Sequence, residues 1–310
     1  MTTITDSFID EVRRTVGGRA PESGGAMLGP RGSSIVSHFI FDTEAAVTSV
    51  SYVPSDWLQR EVTALEVANP AIELKGILHS HPGGMNRPSS TDLKSFESYL
   101  IANPALKHLD VAIGTFDAKP ERAHLASHEV GGESLRLSFF VATQTGSGSA
   151  HLLPASLRIL EVKKLQSTIR RLNRSAMVSE AHVSFLDGVG ALAFDFGMPD
   201  GTDALVLVTE SFPAGAPIVY VDQAGMAKSA NAPWNLFEPV QTRMEGFARF
   251  LGGEVSAQPP DSRIHDTEEE VTSREEVTSR EEVISSKSRR PFYQVLATGF
   301  ALQKNEWMAF

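Results

Sequence analysis

The sequence predicts a two-part α/β protein: a mixed sheet flanked by helices over residues 1–142, followed by a smaller α+β unit over 151–255. Three observations predict it. Apolar residues alternate between helical and strand periods through the first part. The stretch TQTGSGSA at 143–150 then has the composition of a linker. Past it the chain reads helix, strands, helix.

The elements follow in order. Residues 7–16 place Phe8, Ile9 and Val12 at helical spacing and end at Gly17-Gly18, a helix with its stop. A short apolar strand at 26–28 is bounded by glycines and preceded by Glu22. IVSHFIF (35–41) and VTSVSYV (47–53) read as strands. Ser55 caps a helix whose Trp57, Leu58, Val62, Leu65 and Val67 share a face. A strand at 72–78, a helix at 92–102 and a buried strand at 110–116 come next, then an antiparallel pair, 122–128 with 134–142, across Gly131-Gly132.

In the second part, residues 156–173 read as a helix with Ile159, Val162, Leu165, Ile169 and Leu172 inward and a solvated face of Lys163, Lys164, Arg170 and Arg171. Strands at 181–186, 191–196, 204–210 and 218–221 precede a last helix at 241–251. GVGALA (188–193) matches a dinucleotide-binding pattern, but the residues after it alternate as a strand and open no helix, so nucleotide binding is not expected. Residues 256–290 carry EEVTSR twice and then EEVISS, a low-complexity linker, and 291–310 form an apolar tail suited to packing on a domain or a partner.

Composition narrows the function. The 310 residues carry a net charge of −10, which disfavours nucleic acid as a partner. There is no cysteine, which excludes thiol nucleophiles, thioester chemistry, thiolate zinc sites and disulfides. The first residues lack the apolar core of a signal peptide, and no run approaches the ~18 apolar residues of a membrane span. A cytoplasmic protein without membrane contact is expected.

Chemistry concentrates in HSHPGGMNRPSSTD, residues 79–92. At the end of an extended strand His79 and His81 point the same way, whereas helical spacing would part them. Pro82 and the two glycines after it turn the chain, so that Asp92, at the mouth of the next helix, can add an oxygen ligand. Two imidazoles and one carboxylate leave one position for water, the pattern of a catalytic rather than a structural zinc site. Ser89 or Ser90 is also a good N-cap, with Asp92 favoured by the helix dipole; capping and ligation are compatible.

With Glu22 upstream, His79-Ser80-His81-Pro82 and Ser89-Ser90-Thr91-Asp92, residues 1–142 resemble the JAB/MPN-type (JAMM) zinc metalloproteases, and ESGGAMLG resembles the glutamate strand of the prokaryotic ones. The resemblance implies the cytidine-deaminase-like JAB/MPN fold and Zn2+ held by His79, His81 and Asp92. It also implies Glu22 as general base and Ser89 as donor to the oxyanion. The implied activity is isopeptide or peptide cleavage after the C-terminal glycine of a ubiquitin-like protein, with the conjugate and the activating or conjugating enzymes of its pathway as partners. A non-catalytic MPN-type scaffold, or a RadC-like protein, is the alternative. Phe212-Pro213, Pro217, Trp234 and Pro239 give residues 151–255 a resemblance to ubiquitin-conjugating (UBC) or RWD domains, here without the cysteine that forms a thioester.

Overall fold

A computed structural model describes residues 1–253 apart from 17–20, 50, 83, 104–105, 107, 117–124, 133–134, 145–148, 187–188, 198–200, 202, 224–225 and 231. The linker at 256–290 and the tail at 291–310 lie outside the described residues. So does the turn at Asp187 and Gly188.

The chain opens with β1 (Thr2–Thr5) and α1 (Asp6–Thr15), where Thr5 caps the helix by accepting from the Phe8 N–H. Then come β2 (Gly24–Pro30), β3 (Ile35–Val36), β4 (His38–Phe41), β5 (Ala46–Val47), β6 (Tyr52–Val53), α2 (Asp56–Ala68), β7 (Ile72–Ser80), α3 (Ser90–Ala102) and β8 (His108–Phe116). The first part ends with β9 (Glu129–Gly132), β10 (Leu135–Gln144) and β11 (Ala150–Pro154). Its main sheet runs β11-β10-β8-β7-β2-β4, with β9 also paired to β10. The pairing of β7 with β8 is parallel and its other ladders are antiparallel, so the sheet is mixed, as expected. Phe8, Ile9 and Val12 of α1 pack with Met27, Leu78 and Phe139, while Phe96 and Leu100 of α3 pack with Val111, Ile113 and Phe140.

Several segments depart from the sequence reading. The strand expected at 47–53 is two short strands, β5 and β6, paired with each other. Residues 125–128, expected as strand, lie outside β9, whereas 129–132 pair with β10; residues 122–124 lie outside the described residues. Residues 143 and 144, expected in a linker, end β10, and β11 pairs back onto it. The helix expected from 156 begins only at Val162, because β12 (Leu157–Leu160) pairs in parallel with β1, satisfying its backbone in a ladder; Ile159 is left partly exposed.

The second part holds α4 (Val162–Leu172), β13 (Met177–Val178), β14 (His182–Leu186), β15 (Val189–Gly197), β16 (Asp203–Val208), β17 (Ile218–Gln223), β18 (Met226–Ala230) and α5 (Val240–Gly253). Successive strands from β14 to β18 form an antiparallel meander, and β13 pairs with the far end of β15. Leu165, Ile169, Phe194, Val206, Phe212 and Phe247 share its core. Residues 189–193 of GVGALA lie within β15, paired with β14, so they offer no helix N-terminus to a phosphate. The basic face of α4 is engaged within the chain: Lys163 pairs with Asp10, Lys164 with Glu161, Arg170 with Glu180 and Arg171 with Glu245. Asp6 of α1 accepts from the backbone N–H groups of Lys163 and Lys164, supplying the N-terminal cap that Glu161 does not. Among the described residues no helix is long and apolar enough to cross a membrane.

The close approach of β7 and β8 depends on a missing side chain. A Cβ at Gly76 would lie 1.8 Å from the Asp110 carbonyl oxygen on the neighbouring strand. Backbone cannot yield as a side chain does, so Gly76→Ala is expected to cost at least about 1–3 kcal/mol, the usual toll of overpacking. A urea midpoint equal to wild type would refute this.

Candidate metal centre

Strand β7 is held on both sides at its end, His79 pairing with Gly24 of β2 and with Ile113 of β8. One residue past the strand, the His81 N–H still bonds the Gly114 carbonyl at 2.7 Å. Both imidazoles are buried, with their Nε2 atoms 3.0 Å apart. Extended backbone with two-residue spacing thus brings the two rings together, as the sequence indicates.

The carboxylate arrives from α3. Ser89 is the N-cap: its Oγ accepts from the Asp92 N–H at 3.2 Å, and Asp92 Oδ2 accepts from the Ser89 N–H at 2.6 Å, a complete capping box. This box aims the carboxylate inward, with Oδ1 3.4 Å from His79 Nε2 and Oδ2 3.4 Å from His81 Nε2. Capping and convergence on the histidines therefore coexist in Asp92.

These distances test whether a metal fits. Tetrahedral ligands at 2.0–2.1 Å from an ion lie about 3.3 Å from one another; the two Nε2 atoms are 3.0 Å apart, each lies 3.4 Å from a different oxygen of the Asp92 carboxylate, and one ligand atom from each of the three residues lies within 4.8 Å of the other two. The protonation pattern also fits. The Met85 carbonyl, 3.0 Å from His81 Nδ1, can only accept, so Nδ1 carries the proton and Nε2 of the neutral ring presents a lone pair to the cluster. Among the described residues, His79, His81 and Asp92 are the group of three side chains able to hold a metal ion. His124 and His265 lie outside the described residues.

Without an ion the three groups attract one another as acid and bases. Burial acts to raise the Asp92 carboxyl, but the hydrogen bonds of His79 and His81 prevail and hold it well below the usual carboxylate range. Burial likewise opposes charge on His81, and its bonds to Asp92 and to the Met85 carbonyl push it above the ordinary histidine value.

Glu22 lies two residues ahead of β2 and is buried, 7% exposed. Its N–H bonds the Thr48 carbonyl at 2.8 Å. The next residue is locked to the end of β7, since the Ser23 N–H donates to Ser80 Oγ at 3.0 Å and the Ser80 N–H to the Ser23 carbonyl at 2.8 Å. The serine of the His-Ser-His run thus fixes the glutamate's segment. Burial raises the Glu22 carboxyl, against the opposing pull of His81 and His79; Asp92 also bears on it. A buried carboxyl in the electrostatic field of all three cluster groups is suited to proton transfer.

The sequence reading missed the supports. The Tyr52 ring stacks on His79, with centroids 5.9 Å apart and planes 11° from parallel. Its hydroxyl donates to Asp42 Oδ2 at 3.3 Å, and burial with the nearby Asp42 charge keeps that phenol protonated. Asp42 also accepts from the Ser55 N–H at 2.8 Å and hydroxyl at 2.5 Å, joining the tyrosine to the cap of α2. No local spacing in the sequence announces either residue.

A family model described as prokaryotic homologs of the JAB domain matches residues 4–125. Among solved structures, the chain is similar to a protein from Desulfitobacterium hafniense determined in solution, at 17% identity and a TM-score of 0.36, over 52% of this chain and 94% of that one. It is also similar to a JAB1/MPN domain protein from Archaeoglobus fulgidus, at 13% identity and a TM-score of 0.27, over 51% of this chain and 97% of that one. No match is found among curated proteins. The matched stretch contains Glu22, both histidines, Ser89 and Asp92, and the N-terminal part of this chain is a JAB/MPN-type domain of the prokaryotic kind.

Proposed function

We propose that the chain is a zinc-dependent isopeptidase that hydrolyses the amide bond after the C-terminal glycine of a ubiquitin-like protein. The observation that carries this reading is the convergence of His79 Nε2, His81 Nε2 and the Asp92 carboxylate, close enough for one ligand atom from each to share an ion. These three residues would hold the zinc. When bound, zinc supplies a Lewis acid and makes its water far more acidic than bulk water. Glu22 takes the proton of the attacking water and returns it to the leaving nitrogen as the C–N bond breaks, leaving a carboxylic acid and an amine. Ser89 Oγ accepts from the Asp92 N–H, and its own O–H, which also serves the Asp92 carboxylate, would turn to donate to the developing oxyanion.

Residues 151–255 are proposed to act as a UBC- or RWD-like binding module that presents the modifier or its conjugate. Their order of helix, antiparallel meander and helix supports this reading. With no cysteine in the chain such a module cannot form a thioester, so cleavage belongs to the first domain alone.

The test is incubation of the zinc-loaded protein with fusions that extend a ubiquitin-like protein beyond its terminal glycine. Cleavage after that glycine, abolished by chelation and restored by zinc, is expected. A zinc-loaded protein that leaves every such fusion intact would refute the peptidase and favour a scaffold.

A further inference from the structure

The metal-site reading leaves one element unexplained: what fixes the carbonyl that orients His81. The Met85 oxygen sits in an exposed turn, where the Gly84 N–H bonds the His81 carbonyl at 3.1 Å. Gly84, Met85, Asn86 and Arg87 are all exposed, and Gly84 adopts a positive φ of 83°. Burial therefore does not set the position of this backbone, and an unanchored turn would let the carbonyl swing away from the imidazole.

A side chain supplies the anchor. Asn86 Nδ2 donates at 3.0 Å to Oε1 of Glu129, on strand β9. Glu129 is a rigid post: its side chain is only 4% exposed. The same carboxylate accepts from the Ala126 N–H at 2.9 Å and the Ser138 hydroxyl at 3.2 Å, with Arg136 Nη1 at 3.9 Å. A buried carboxylate is costly unless its oxygens are satisfied, and one of its donors comes from an exposed loop at the edge of the metal cluster.

We infer that Glu129 and Asn86 are positioning residues for the metal site: through their hydrogen bond they fix the Met85 carbonyl, which holds His81 in the tautomer that aims Nε2 at the ion. The chain of contacts runs from Glu129 Oε1 to Asn86, along one peptide to the Met85 oxygen, and from there to His81 Nδ1. Loss of the anchor leaves every ligand in place and raises the cost of orienting one of them. Outer partners of metal ligands, when removed, weaken metal binding by about 10–100-fold, and this indirect support belongs at the lower end of that range.

The inference rests on His81 being a metal ligand, and the experiment separates the two ideas. Full-length protein with 15N-labelled histidine is prepared as wild type, Asn86→Ala and Asn86→Gln. Position 86 is exposed and Glu129 keeps its bonds from Ala126 and Ser138, so the variants are expected to fold with melting temperatures lowered by at most a few degrees. In the metal-free state the His81 Nδ1–H, held by the Met85 carbonyl, should exchange slowly with solvent in wild type and several-fold faster in Asn86→Ala. Titration with Co2+ should show affinity about tenfold weaker in Asn86→Ala. Asn86→Gln, which keeps an amide donor on a compliant segment, should recover most of both signals. An unchanged His81 Nδ1–H exchange rate in Asn86→Ala, or a Gln variant as impaired as the Ala variant, would overturn the inference. Wild type that fails to bind Co2+ would instead overturn the metal reading, with the exchange measurement still deciding the role of Asn86.

Discussion

Replacing Glu22 by glutamine is expected to leave metal binding intact and to lower kcat by about 10²–10⁴-fold, the range that a positioned general base contributes. The substitution is nearly isosteric, which matters for a residue only 7% exposed whose backbone is pinned to Thr48 and whose neighbour Ser23 is pinned to Ser80. Folding and the positions of the three candidate ligands should therefore survive. An amide accepts no proton at neutral pH, so the nucleophile and the leaving nitrogen lose their proton carrier together. Zinc content by atomic absorption and turnover of a ubiquitin-like fusion are measured on the same sample. Full zinc with turnover near wild type would remove Glu22 from the mechanism. Loss of zinc would mean that Glu22 supports the ion rather than the proton transfer.

The role proposed for Glu22 also shows where sequence reading reached its limit. His79 and His81 were legible because their geometry is local: two residues on an extended strand share a face whatever surrounds them. Ser89 and Asp92 were legible for the same reason, since a capping box is written within four consecutive residues. Glu22 has no local signature, and only the motif-level resemblance picked it out; its burial beside β7 comes from the ladder between β2 and β7. Tyr52, Asp42, Asn86 and Glu129 were illegible, because each acts through a contact set by the tertiary fold. The same distinction holds for the fold. Helices α1, α2 and α3 follow from periodicity and caps, whereas β12 reads as helix until its parallel partner β1 is known. An isolated periodicity cannot weigh a ladder formed with residues more than a hundred positions away.

Asp92→Asn is expected to abolish zinc binding while changing helix α3 little, because the two duties of Asp92 are chemically separable. Asparagine can still accept from the Ser89 N–H through its carbonyl oxygen, which preserves the capping box. What it cannot do is offer a charged oxygen to the ion, and its amide group turns hydrogens toward the imidazoles in place of a lone pair. Affinity should fall by more than the 10–100-fold lost with outer partners. The two proteins should also differ in how stability depends on pH, and the sign follows from the shifts. In metal-free wild type the Asp92 carboxyl is depressed, so its contribution is present above the ordinary aspartate value of about 3.9 and is lost as pH falls through the lower folded value. His81 is raised, so its contribution is full below the ordinary histidine value of about 6.5 and is lost as pH rises through the higher folded value. Metal-free wild type should therefore exceed Asp92→Asn in stability most clearly between about pH 4 and 6.5, with the gap shrinking above that window. Zinc reverses the trend, because it binds neutral imidazoles and gains affinity as they lose protons. With zinc added, the gap should instead widen from pH 6.5 towards 8. Unfolding midpoints measured across pH, with chelator and with zinc, read both trends. Zinc content unchanged in Asp92→Asn would remove Asp92 from the ligand set, and pH profiles that run parallel with and without zinc would mean that the ion does not sit on His81.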